Sequence, residues 1–109
     1  MKVDNVNRRS RMIFTDEQIL RIRLISKVDY EVEKIIVDVY GLCCSGARRF
    51  ISNIVNVTLG ECTVKVIHGY RHGTSIRQML REKFFNPHIS KIRADRTYLG
   101  VTYLLQADG

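Results

Sequence analysis

The feature that most constrains this chain is a switch between two hydrophobic periods within residues 35–67. Ile35-Ile36-Val37-Asp38-Val39-Tyr40 is a largely β-branched run that stops at Gly41. Its continuous apolarity predicts a strand over 35–40, covered on both sides or lying in a parallel sheet. Ala47, Phe50, Ile51, Ile54 and Val55 then recur on one helical face, with Ser45 placed to cap and Gly60 placed to stop, which predicts a helix over 46–59. From Cys62 to Ile67, Thr63 and Lys65 alternate with Cys62, Val64 and Val66, predicting a second strand that ends at His68-Gly69. A strand, an amphipathic helix and a strand in succession need a crossover connection, and so at least part of a parallel sheet.

The flanks extend this unit. Ile76, Met79, Leu80 and Phe84 keep helical spacing and Asn86-Pro87 interrupts it, so a helix is predicted over 75–85. Ile89–Ala94 and Val101–Gln106 read as two last strands with a hairpin connection over 95–100. Upstream, residues 1–14 are polar and basic and read as a flexible arm. Thr15-Asp16-Glu17-Gln18 has the form of a capping box, and Ile19, Ile22 and Ile25 follow it, predicting a short helix over 16–28. The predicted class is α+β, an α/β two-layer sandwich of order βαβαββ with a mixed four-stranded sheet. Residues 1–33 form its N-terminal basic arm and short helix, and residues 34–106 form the domain.

A chain of 109 residues that is 45% apolar holds one core. No stretch nears the roughly 18 consecutive apolar residues of a membrane helix, and Met-Lys-Val-Asp-Asn carries no apolar secretion segment, so a cytoplasmic location without membrane association is expected. Cys43, Cys44 and Cys62 fit neither a disulfide framework nor a metal spacing and read as small buried thiols. The net charge of +7 favours a polyanionic partner. Its placement is more informative: within 68–96, Arg71, Arg77, Arg81, Lys83, Lys91, Arg93 and Arg96 stand against Glu82 and Asp95 alone.

Open sheets of this kind bind ligands beyond the carboxyl ends of their strands, and two motifs fall there. Asp38 lies inside an apolar run two residues before Tyr40; its carboxylate either braces the following turn through backbone N–H groups or serves catalysis. His68-Gly69-Tyr70-Arg71-His72-Gly73-Thr74 joins a strand to a helix. Such a loop is either an ordinary connection with solvated basic residues or a phosphate site, in which glycines allow close backbone approach and the helix start offers N–H groups. Arg71 and Arg77 add charge at its mouth, while the glycine pattern is neither a Walker loop nor G-x-G-x-x-G. His68 and His72 lack a third ligand nearby, so no metal cluster is visible and a divalent metal remains open as a cofactor. Tyr40 and Tyr70 either pack or stack on unpaired bases.

Val37-Asp38-Val39-Tyr40-Gly41, then Val66-Ile67-His68-Gly69-Tyr70-Arg71-His72-Gly73-Thr74-Ser75-Ile76-Arg77, then Gly100-Val101-Thr102, resembles the small MutS-related (Smr) domain. That family carries Leu-Asp-Leu-His-Gly, a His-Gly-x-Gly-x-Gly-x-Leu-Arg type loop and a late Gly-x-Thr in the same order. The likeness spans about residues 34–106 and is nearest to the short stand-alone bacterial form. It implies a fold similar to the C-terminal domain of translation initiation factor three. It also implies endonuclease activity on RNA or on structured or nicked DNA, in some members at the ribosome. By position, the resemblance gives Asp38 and His68 catalytic places, and Gly69, Gly73 and Arg77 places in the nucleic-acid-binding loop. Tyr40, Tyr70, Arg71, His72, Thr74 and Arg81 complete the expected nucleic-acid contact set.

One departure stands out. The family's motif histidine is Tyr40 here, so an imidazole able to accept a proton near pH 7 gives way to a phenol, a group with a reference pKa near 10. The expectation is therefore nucleic-acid binding with cleavage. The alternative is a non-catalytic nucleic-acid or ribosome-binding module that has lost cleavage at Tyr40. No small-molecule cofactor is expected.

Overall fold

A computed structural model describes residues 1–58, 60–70 and 74–107. The elements, in chain order, are α1 (Val3–Ile13), α2 (Asp16–Ile19), β1 (Ile22–Ser26), β2 (Val32–Asp38), α3 (Cys44–Val57), β3 (Cys62–Ile67), α4 (Thr74–Glu82), β4 (Ile89–Ala94) and β5 (Val101–Gln106). The class is α+β, and the mixed sheet has five strands in the order β1-β2-β3-β5-β4, one more than expected. β2 and β3 are parallel, joined across α3, and the other pairings are antiparallel. Among the described residues no helix is long and apolar enough to cross a membrane.

Alternation fixes which face of the sheet is covered. Ile35 and Val37, Val64 and Val66, and Leu104 are wholly or almost wholly buried against Phe50, Ile51, Ile54 and Val55 of α3 and Ile76 and Leu80 of α4. The intervening residues Ile36, Lys65, Ile67 and Tyr103 are half-buried and point to the other side, and Asp38 is exposed there. Of the two expectations for this strand, the parallel pairing holds and cover on both faces does not: the helices occupy one face and leave the second open.

The N-terminal third departs most from the sequence reading. Residues expected to form an arm fold as α1, which buries Val6 and delivers Phe14 edge-on to Phe50, with ring centroids 5.4 Å apart. The Met1 ammonium, 2.7 Å from Glu31, and the Met1 carbonyl, which accepts from the Val32 N–H, tie this end to the start of β2. The capping box at Thr15 and Gln18 forms in both directions, but the helix it starts lasts one turn. Residues 22–26 pair instead with the edge of β2, where Ile22 and Leu24 turn toward the core and Arg23 and Ile25 turn outward. This two-residue alternation outweighs the three-residue spacing of Ile19, Ile22 and Ile25, because an extended segment satisfies the backbone groups of β2.

Smaller corrections follow from local geometry. The α3 cap is Cys43, whose Sγ accepts from the Gly46 N–H at 3.4 Å, two residues before Ser45. Ser45 and Gly46 hold the Cys43 thiol below its usual pKa, and this thiol is exposed rather than buried. Cys62 is buried, donates to Gln106 Oε1 at 3.2 Å, and has its pKa pushed by burial up to about 11. Gln106 in turn donates to the carbonyls of Val55 and Thr58, joining β5 to the end of α3.

Candidate functional site

The parallel pair β2 and β3 ends at one rim of the sheet, and the antiparallel β5 begins there. Three sequence motifs thereby converge: Asp38-Val39-Tyr40, His68-Gly69-Tyr70 and Gly100-Val101-Thr102. The Gly100 carbonyl accepts from two N–H groups, His68 at 2.9 Å and Gly69 at 3.1 Å. A Cβ on Gly100 would lie 2.8 Å from the Gly69 Cα and 3.0 Å from its carbonyl carbon, a backbone contact that no side chain can yield to. Gly69 adopts φ +76°, and a Cβ there would meet the Tyr40 ring at 2.6 Å. The Tyr40 ring, Gly69 and Gly100 thus form a close-packed stack in which two positions admit only glycine.

His68 lies beneath this stack. It sits in the core rather than at the loop mouth, with 0% of its surface exposed. Nδ1–H donates to the Gly69 carbonyl at 2.6 Å, and Nε2 accepts from the Thr102 hydroxyl at 2.9 Å. Burial lowers its pKa, the Gly69 carbonyl opposes this, and the Arg81 and Arg77 charges add to the lowering. The ring is therefore a neutral imidazole with both nitrogens engaged, and its role is to fix the Gly69 carbonyl and so the loop. The structure thus places His68, expected at a catalytic position, beneath the rim surface with both ring nitrogens bonded within the fold.

Asp38 is exposed. Its Oδ1 accepts from the Tyr40 N–H at 2.9 Å, the turn-bracing arrangement expected of a carboxylate two residues earlier. Arg21 Nη1 donates to the Asp38 and Tyr40 carbonyls at 3.1 and 3.2 Å, and the Asp38 N–H donates to the Arg21 carbonyl at 2.9 Å. Arg21, the residue before β1, thus clamps the turn. Asp38 borders a groove of about 540 Å³ whose lining includes Arg21, Arg23, Ile36, Tyr40 and Ile67.

Of the expected residues, Asp38, Tyr40, Gly69 and Tyr70 come together at the rim, with Tyr40 and Tyr70 about half exposed. Thr74 opens α4, and its hydroxyl donates to the Tyr70 carbonyl at 3.5 Å. Arg77 and Arg81, on the same helix, are near enough to act on the His68 charge. Arg71, His72 and Gly73 lie outside the described residues. Among the described residues no group of three or more His, Cys, Asp or Glu side chains is placed to hold a metal.

The sequence reading placed the hairpin between β4 and β5 but gave its turn no part in the site. Asp95 accepts from the Thr97 and Tyr98 N–H groups at 2.8 Å through Oδ1, and from the Tyr103 hydroxyl at 2.8 Å through Oδ2. These donors lower the Asp95 pKa, and the carboxylate raises that of Tyr103. The turn so fixed leaves Tyr98 and Leu99 66% and 58% exposed. With Tyr70, Ile67 and Lys65 they line a groove of about 690 Å³ that shares Ile67 with the groove beside Asp38. Two bulky apolar residues in succession within a hairpin turn were the available signal. Comparison with protein-family models, with curated proteins and with solved structures finds no match to this chain.

Proposed function

We propose that this protein is a nucleic-acid-binding module of the Smr-like type, holding RNA or DNA at the carboxyl ends of β2 and β3. The observation that carries the reading is the convergence of the three motifs into one rigid rim, with Tyr40 and Tyr70 exposed on it and Arg77 and Arg81 beside it. A backbone fixed by His68 and two glycines presents a constant shape to a phosphodiester, and the net charge of +7 draws the polyanion to it. RNA at the ribosome is one setting in which such a target is met. Binding without turnover agrees with Tyr40 at the motif-histidine position, its ring packed on Gly69, and with the enclosure of His68.

The exposed Asp38 carboxylate favours one further reading, hydrolysis, in which it orients an attacking water or 2′-hydroxyl. A cleavage time course on labelled structured RNA and supercoiled DNA, with and without chelator, separates the two. The module predicts salt-sensitive binding and intact substrate. Cleavage abolished by Asp38→Ala supports hydrolysis, with Tyr40→His expected to raise its rate. Failure to bind either polymer at low salt overturns both readings.

A further inference from the structure

The open face of the sheet carries an ordered row of side chains. The strand registers place Arg23 opposite Ile36, Ile36 opposite Lys65, Lys65 opposite Tyr103, and Tyr103 opposite Arg93. All five project from the face that the helices leave uncovered, so the row crosses every strand as cation, aliphatic, cation, aromatic, cation. At about 4.8 Å between strands the three cations stand roughly 10 Å apart over about 19 Å. The Arg93 guanidinium lies over the Tyr103 ring, 5.4 Å from its centroid, so the aromatic and the charge form one unit. One row further from the rim, Lys34 and Lys91 add two more cations. Among the described residues the acids on this face are Asp38 at the rim, which accepts the Tyr40 N–H through Oδ1, and Asp95 beside Lys65, which accepts the turn N–H groups described above. Glu17 borders the groove at the β1 end, and Glu33 and Glu61 border the far end of the sheet.

We propose that this face binds single-stranded nucleic acid, its backbone following the Arg23–Lys65–Arg93 row and its bases stacking on Tyr98 and Tyr70 at the rim. The proposal rests on the nucleic-acid reading above and deepens it by naming the strand state and the path. Charge complementarity selects a polyanion. The apolar share of the face selects unpaired bases, because a duplex presents phosphates to Ile36, Ile67 and Tyr98 and hides the rings that would reward their burial. Unpaired bases offer a π-face to every exposed tyrosine, and stacking of this kind is tolerant of sequence. The two grooves that meet at Ile67 bring the row and the rim into one continuous surface.

The test is fluorescence anisotropy with labelled 20-nucleotide U and dT strands and a 20-base-pair mixed-sequence duplex, over a salt series. It uses the full chain, R23A/K65A/R93A, Tyr98→Ala and R77A/R81A, each checked for native circular dichroism. Single strands are expected to bind at least tenfold more tightly than duplex. The row variant is expected to lose at least tenfold, with a shallower dependence on salt. Tyr98→Ala is expected to lose about fivefold to tenfold with the salt dependence unchanged. Duplex binding as tight as single-strand binding, or a row variant equal to wild type while R77A/R81A loses affinity, overturns the proposal and leaves the rim reading standing. A wild-type chain that binds no polymer overturns the rim reading as well. A chain that dimerises with loss of the variants' difference assigns the face to a second copy and overturns the proposal.

Discussion

The rim of the sheet and its open face adjoin at Ile67, and they are built in opposite ways. At the rim, Gly69 and Gly100 meet backbone to backbone, a buried imidazole fixes a carbonyl, and an aromatic ring closes the stack, so a substitution disturbs the chain path itself. On the face, Arg23, Lys65 and Arg93 stand on a sheet whose path is set from the other side by α3 and α4, so a substitution changes the surface and leaves the path alone. The contrast separates two readouts: variants within the Gly69–Gly100 stack report on stability, and variants of the face report on affinity.

The largest effect belongs to Gly100→Ala. Its Cβ would press on the Gly69 backbone at 2.8 Å, and a loss of about 3 kcal/mol is expected in urea unfolding. A loss below about 1 kcal/mol breaks the comparison. Thr102→Val comes next: it leaves the buried His68 Nε2 without its donor at a cost of about 2 kcal/mol. The same histidine sets a pH dependence. Its folded pKa lies below the ordinary 6.5, so the unfolded chain binds the proton first and the stabilisation present above pH 6.5 is lost as pH falls. The slope reaches at most about 1.4 kcal/mol per pH unit, and it precedes the titration of Asp29, Glu31 and Asp95, whose pKa values lie below the ordinary carboxylate range. A flat stability curve between pH 6.5 and 5 contradicts the enclosure of His68. Smallest is Lys65→Ala, expected to change stability by less than about 0.5 kcal/mol. A larger change shows that the face shares in holding the fold.

The central elements were legible because their periods are unambiguous. The limits of β3, β4 and β5 agree with the sequence reading, since each run is bounded by glycine, proline or polar residues. Within the first thirty-three residues the capping box at Thr15 was legible and the rest was not, because α1 and β1 are stabilised by distant partners, Phe50 and the edge of β2, that no local pattern shows. Part of the site was readable and went unread. The alternation of Cys62, Val64 and Val66 continues to His68, which puts its ring on the covered face. The parity of Ile36 with Asp38 likewise puts that carboxylate on the open one. What sequence alone does not give is the contact between Gly69 and Gly100, thirty-one residues apart and brought together by the β3–β5 pairing.

The cation row ends on Arg23 in β1 and Arg93 in β4, the two outermost strands of the sheet. An outer strand offers unpaired N–H and C=O groups to any extended chain that drifts against it, and a charged side chain along it makes that addition unfavourable. The two arginines at the ends of the row thus also keep one copy's sheet from continuing into the next, so neutralising them should shorten the time the purified protein stays clear at high concentration.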